Sequence, residues 1–418
     1  MVPEEPTMRV VLLSEFFCKG MGYLENMLPK YLALLGVDTH VVASDLPIGY
    51  RQADSKQTYA NFVERLQPGA VETIDGYKLH VLPHKKVASH MRMVGLRAKL
   101  ASLRPNIVQT ETATGWIAFD AALYAPFLGY KLFTGNHHHA SVFPLATKKV
   151  SKWSAESLDS LLKRTAPGKF IAAFTEKCYA ISPDCADIAI RFFGAPPRKV
   201  SVCPLGVDTR LFHPVNTREE AQARDALRFQ LGFTASDIVC IYTGRLSEEK
   251  NPLLLARAVG MLNLEGRPYR GLFIGEGGQL RKIQSCAGCV THSFAPVDTL
   301  GSFYRAAEIG VWPAQESTSM LDAAACGLPI IANHMLTVTE RLDGNGLTYR
   351  LNSLEDLADT LRKLGDAQTR SELGIAGARK MHTYFSWDII ARRRMSDYEA
   401  SLRTGACVER KILTDEFH

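Results

Sequence analysis

No stretch of this 418-residue chain reaches the roughly 20 apolar residues that a membrane-spanning helix requires. The longest apolar segment, residues 116–133, is broken by Asp120, Pro126 and Gly129. The start, Met1-Val2-Pro3-Glu4-Glu5, lacks the basic lead and apolar core of a secretion signal, so a cytoplasmic location is expected. Nine cysteines, an odd count, are scattered without the spacing of a disulfide framework and read as reduced thiols. Cys286 and Cys289 form a single CxxC with His292 nearby, but no fourth ligand follows, and zinc is not expected there. Asp-x-Asp, a spacing that clamps divalent ions, occurs nowhere. A net charge of +6 is too mild to argue for nucleic acid.

What is present is the composition of an ordinary globular protein, 46% apolar and 22% charged, with chain enough for two or three domains. Short apolar runs suit strands buried on both faces: residues 9–14, 39–43, 77–82, 106–110, 131–134, 238–243, 272–274, 290–294 and 347–350. Helical patterns fall between them, at 23–35, 91–103, 116–128, 298–307 and across 354–382, with a last helix from Trp387 to about Leu402. Residues 50–75 read as an excursion, and a charge-mixed linker runs from Asp208 to about Thr234. The alternation of strand and helix predicts a chain of two α/β halves with one phosphate-binding cleft.

Several stretches carry chemistry. In Val311–Ala332 a strand ends at Pro313 and a polar loop bears Glu316. Ser317, Thr318 and Ser319 can cap a helix that stops at Gly327. Such a helix start offers free N–H groups to an anion, while Glu316 can accept hydrogen bonds from hydroxyls. Equally, the stretch is a plain strand–helix–strand unit with a solvated acid. Gly20 and Gly22 follow the first strand, where they either admit a phosphate to the backbone or make a tight turn. Gly244 and Arg245, with Lys250 further on, follow another strand; the two cations can grip an anion or remain solvated beside Glu248 and Glu249. Gly275 and Gly277 form a third glycine turn at a strand exit. Asn136-His137-His138-His139 also lies at a strand exit. Alternating side chains cannot aim all three histidines one way, which argues against a metal held by the trio alone. The basic stretch 148–169 is either a solvated helix face or a surface for an anionic membrane leaflet.

Glu316, Asp322 and the turn Cys326-Gly327-Leu328-Pro329 resemble the donor signature of retaining GT-B glycosyltransferases of family 4, the glycosyl transferases group 1. The run Gly244-Arg245-Leu246 with Glu249-Lys250-Asn251 resembles that family's diphosphate grip. Gly22-Tyr23-Leu24-Glu25, Tyr179–Asp184 and Pro204–Asp208 are also similar to its motifs. One departure is the acid pair, which is separated by five residues and has Asp322 in place of a second glutamate. The resemblance implies two doubly wound, Rossmann-like α/β domains facing a cleft, an acceptor-side domain over 1–205 and a nucleotide-sugar domain over 206–384, with a terminal helix, 385–418, folding back on the first. It further implies sugar transfer, with retention and without a metal, from a nucleotide-diphosphate sugar to a sugar or lipid-linked hydroxyl in surface polysaccharide or glycolipid assembly. In that scheme His137, Arg245, Lys250 and Glu316 are catalytic. Gly20, Gly22, His138, Gly244, Gly275, Gly277, Ser317, Thr318, Ser319 and Asp322 bind the donor. The alternatives are a nucleotide-sugar epimerase, a phosphorylase, or a non-catalytic binder of the same architecture.

Overall fold

The computed structural model describes residues 8–47, 66–87, 90–147, 161–336 and 339–415. Its strands form two large sheets. The first is built from β1 (Arg9–Ser14), β2 (Asp38–Ser44), β3 (Val71–Ile74), β4 (Tyr77–Leu82), and, past a small antiparallel hairpin β5 (His84–Val87) and β6 (His90–Met93), from β7 (Ile107–Thr110), β8 (Lys131–Asn136), β9 (Thr175–Ala180) and β10 (Val200–Val202). Their order is β10-β9-β8-β7-β1-β2-β4-β3, parallel except for the edge strand β3. The second sheet contains β11 (Ile238–Thr243), β12 (Tyr269–Ile274), β13 (Cys289–His292), β14 (Ile309–Trp312), β15 (Ile330–Asn333) and β16 (Gly346–Tyr349). Its order, β13-β12-β11-β14-β15-β16, is wholly parallel.

Central strands such as β11 are buried at every position, because helices cover both faces of the sheet; this is why they read as unbroken apolar runs. Each sheet reverses order beside its first strand: β1 lies between β7 and β2, and β11 between β12 and β14. A crevice opens at the carboxyl end of such a reversal, and there the glycine turns and the Glu316 loop lie.

Two segments join the halves, and they are laced together. Val207 N–H donates to Phe385 O at 2.8 Å, and Trp387 N–H returns to Val207 O at 3.1 Å. The final helix, Trp387–Asp415, then crosses to the first sheet. Trp387, Ile390, Ala391 and Tyr398 join its core with Val10, Leu12 and Phe133. Lys177 and Tyr179 both reach the Asp397 carboxylate, and the Tyr398 hydroxyl reaches buried Gln109.

Some elements differ from the sequence reading. Met91 and Met93 belong to β6, and the helix expected over 91–103 starts only at Leu96, after Gly95 at φ +83°. The stretch read as a linker holds the helix Arg218–Gln230, whose Thr217 and Glu220 form a reciprocal capping box. The last helix continues to Asp415 rather than ending near Leu402. Most of the excursion over 50–75, and residues 148–160 of the basic stretch, lie outside the described residues. Among the described residues no helix is long and apolar enough to cross a membrane.

Candidate donor site at the facing sheet edges

The Glu316 loop is held by its backbone. Pro313 O accepts from the Tyr349 hydroxyl at 2.6 Å and from Asn333 Nδ2 at 3.2 Å, and Ala314 O accepts from Asn333 at 2.7 Å. Lys250 Nζ donates to Glu316 O at 3.0 Å, and buried Arg341 donates to Ser317 O at 3.0 Å. Four carbonyls of one short loop are thereby satisfied from three directions, which fixes the loop while its side chains remain at the cleft. Asn333, Arg341 and Tyr349 were missed from sequence; their partners are backbone atoms far away along the chain, which no local motif reveals.

The helix after this loop, Ser319–Ala325, has only seven residues. Thr318 at its start makes no side-chain cap; Ser317 Oγ instead accepts from Ser319 N at 3.3 Å. The expected serine/threonine cap is therefore replaced by a local turn, and so short a helix contributes little dipole to an anion. Its end is as expected. Gly327 at φ +88° lets Leu328 N reach Ala323 O and Gly327 N reach Ala324 O.

Gly244, Gly275 and Gly277 come together. Gly244 N donates to Ile274 O and Leu246 N to Glu276 O, so the two turns lie one upon the other. A Cβ on Gly275 would sit 2.0 Å from Gly244 O, and one on Gly277 2.6 Å from Leu246 O; both residues have left-handed φ, +144° and +150°. Loop-to-loop contact alone therefore demands glycine at both positions. Gly20, from the first half, meets this assembly through its carbonyl, which accepts from Val297 N at 3.0 Å. Gly22 faces the same residue, with Val297 Cγ2 3.1 Å from where its Cβ would be.

Arg245 and Lys250 stand together over this floor. Among the described residues the Arg245 guanidinium makes a loose 3.5 Å contact with Glu249. Lys250 is more enclosed: burial, offset in part by the Glu316 charge and reinforced by Arg245, brings its ammonium down to about 8. Asp322 lies deeper. Burial and then the charge of Asp208 push its carboxyl up to about 8, leaving it mostly protonated at neutral pH. Asp208 itself is engaged by Lys30 at 2.9 Å and the Tyr31 hydroxyl at 2.7 Å, tying the first helix to the crossover.

Across the cleft the three histidines diverge. His138 is turned into an aromatic cluster, edge-on to Phe143 and Phe193, with Nδ1 2.8 Å from Asn136 Oδ1. His137 is brought down to about 3, first by burial and then by the Arg394 charge, and is a neutral imidazole. His139 behaves oppositely. Burial opposes its charge, but hydrogen bonds to Asp184 and Cys185 and the charge of Glu316 carry it up to about 9. Sequence reasoning met His139 and Asp184 only inside two separate motifs and never joined them to each other or to Cys185. A further unanticipated pair joins the first turn of the helix Leu24–Leu34 to the exit of β7: burial raises Glu25 to about 7, and burial with the Glu25 charge raises Glu111 well above the usual carboxylate range. The two carboxyls hydrogen-bond to each other.

Two doubly wound sheets whose carboxyl edges bring together glycine turns, a cation pair and an acid-bearing loop define the GT-B class of fold. The family pattern described as Glycosyltransferase Family 4 matches residues 25–211, and that described as Glycosyl transferases group 1 matches residues 237–366. The chain belongs to the group 1 glycosyltransferases. It is similar to the D-inositol 3-phosphate glycosyltransferase of Geodermatophilus obscurus, 28% identical over 263 residues, which cover 58% of this chain and 56% of that relative. The Jonesia denitrificans protein of the same name is 31% identical over 238 residues, 51% of this chain and 55% of its own. The matches thus span just over half of these curated relatives. Among solved structures, sucrose-phosphate synthase from Thermosynechococcus elongatus superposes with a TM-score of 0.68 at 16% identity, over 95% of this chain and 100% of that one. Anabaena HepE in complex with UDP and glucose gives 0.66 at 14% identity, over 94% and 100%. These likenesses establish the fold.

Proposed function

We propose that the protein transfers a sugar, with retention of anomeric configuration, from a nucleotide-diphosphate sugar to a hydroxyl acceptor. The observation that carries this reading is the meeting of Arg245 and Lys250 with the rigid Glu316 loop at the edge where the two halves face each other. Departure of a nucleoside diphosphate places negative charge on the leaving oxygen. Two fixed cations in a cleft stabilise that charge with little reorganisation, and no metal ion is needed in this scheme. Positive character grows at the anomeric carbon, where Glu316 and the neutral His137 accept or donate hydrogen bonds to sugar hydroxyls. Asp322, protonated, offers a hydrogen-bond donor toward the ribose, and the glycine turns let the diphosphate approach the backbone.

Support for the donor class comes from the solved relative holding UDP and glucose, and support for a polyol acceptor from the relatives' printed names. A lipid-linked acceptor in surface polysaccharide or glycolipid assembly, met in the cytoplasm at the inner leaflet, belongs to the same proposal.

Thermal unfolding against nucleoside diphosphates and nucleotide sugars, with and without chelator, tests the donor half, because a ligand of the folded state raises its melting temperature. One nucleotide series should stabilise the protein regardless of chelator. Product analysis then separates transfer from epimerisation, since only the latter proceeds without an acceptor. An inverted product would overturn the stereochemical assignment.

A further inference from the structure

The His139, Asp184 and Cys185 cluster is not required by the transfer chemistry above, and its geometry is unusual for a hydrogen-bonded group. Asp184 Oδ2 lies 3.3 Å from His139 Nδ1, and Cys185 Sγ lies 3.7 Å from that same nitrogen. A relay from thiol through imidazole to carboxylate would use both ring nitrogens, one for each neighbour. Here both neighbours, and Ser182 Oγ at 3.4 Å, converge on one nitrogen, so a nucleophilic cysteine is not what the cluster builds. A charge-assisted hydrogen bond between imidazolium and carboxylate would be near 2.7–2.9 Å; the observed separation is longer. A tetrahedral ion with ordinary zinc bond lengths would instead hold N and O about 3.4 Å apart and N and S about 3.6 Å apart. Both edges agree with the observed distances, and the three ligand atoms lie within 4.8 Å of one another.

The surroundings suit a cation. Cys185 is fully buried and His139 is 9% exposed, so the donors are held by packing rather than displayed on the surface. Ser182 Oγ caps the helix Pro183–Arg191 through Cys185 N and hydrogen-bonds Asp184 Oδ1, while Ala140 N donates to Asp184 Oδ2 at 2.8 Å, which orients the carboxylate. Opposing this, the start of a helix is unfavourable to a positive ion. Three bonds of imidazole, carboxylate and thiolate outweigh that effect. Beyond the cluster, the charges of Glu316 and Glu340 act on His139, while that of the buried Arg341 guanidinium acts on Asp184 and Cys185 and opposes a cation.

We propose that His139 Nδ1, an Asp184 oxygen and Cys185 Sγ form a binding site for one divalent ion of the zinc class in the first-half wall of the cleft, with its fourth position open. The site is separate from the leaving-group cations Arg245 and Lys250, so a bound ion acts on cleft occupancy and stability rather than on diphosphate departure. Binding displaces the proton of Nδ1 and that of the thiol, which leave to solvent, and no redox change occurs.

Cobalt(II) is the probe. The full chain, stripped by chelator and titrated with Co²⁺, should bind one equivalent with tetrahedral d–d bands and a near-ultraviolet thiolate-to-cobalt band that Zn²⁺ abolishes. Both signals should vanish in Cys185→Ser and weaken at least about 100-fold in affinity in His139→Gln. They should persist in the Cys286→Ser/Cys289→Ser double variant. Zn²⁺ should raise the melting temperature of the wild type and not that of His139→Gln. Absence of the thiolate band, its survival in Cys185→Ser, or its loss in the Cys286/Cys289 double variant would each overturn the assignment. Should Cys185→Ser fail to fold, the near-isosteric His139→Gln decides by the same two readouts.

Discussion

The Lys250 ammonium donates to the carbonyl of Glu316 at 3.0 Å, so the cation that would meet the leaving diphosphate also holds the loop that would meet the sugar. Donor cation and sugar acid therefore move as a unit. Replacing Lys250 by Met should lower kcat/KM at least about 100-fold. It should also increase proteolytic cleavage within residues 313–319, because Glu316 O loses its partner; a loss of turnover with unchanged loop protection would separate the two roles.

Lys250 also gives the reaction a pH limit. Its folded pKa of about 8 lies below the usual lysine value, so the charge is lost as pH rises through 8. Donor KM should rise above that pH. In Lys250→Arg, whose guanidinium does not titrate in this range, KM should stay level across pH 7–9.5 even though turnover falls. Initial rates at saturating acceptor give this directly.

Asp322 and the Glu25–Glu111 pair bear on stability. All three carboxyls are raised in the folded state, to about 8 for Asp322 and about 7 for Glu25. Between the unfolded carboxylate range and those values the folded chain holds more protons than the unfolded one. Stability should therefore fall as pH climbs from about 4.5 to 8. Glu111→Gln removes one of the competing carboxylates and should raise the melting temperature at pH 8 by about 2 °C or more. Asp322→Asn should keep near-wild-type nucleotide affinity at pH 7, since the native group is already mostly neutral there. Calorimetric scans and titrations at pH 5, 7 and 8 measure both.

The glycine turns make a graded pair. Gly275→Ala places a Cβ 2.0 Å from a backbone oxygen at φ +144°, and nothing nearby can yield cheaply. That variant should unfold at markedly lower temperature and lose nucleotide binding. Gly22→Ala meets only Val297 Cγ2 at 3.1 Å, the tip of a side chain, and should cost about 1 kcal/mol or less. Comparable losses in the two would refute the loop-stacking account.

Much of this architecture was readable from the chain because parallel strands buried on both faces cannot avoid being apolar runs, as β11 and β14 are. Glycines with left-handed φ at strand exits were equally plain. Residues 91–93 misled because Met93 continues the helical spacing of Leu96, Leu100 and Leu103, whereas Met91 and Met93 follow the two-residue period of a strand. The helix Arg218–Gln230 buries almost nothing but Arg228, which hid it among charges, although Thr217 and Glu220 were a signal in plain sight. What no pattern could show is the bracing of one loop by Asn333, Arg341 and Tyr349, or the convergence of His139 with Asp184 and Cys185 across 45 and 46 positions. Those depend on how strands are ordered in space, and sequence spacing says nothing about that.

The laced crossing has a mechanical consequence. A single covalent strand between two bodies acts as a swivel, free to turn about its own length. Val207 and its neighbours Phe385 and Trp387 make two strands side by side, joined by backbone hydrogen bonds, and a ribbon of that kind resists torsion far more than it resists folding across its width. Such a joint favours bending across the ribbon over twisting along it, and a cut between the last two helices would remove one of its two strands.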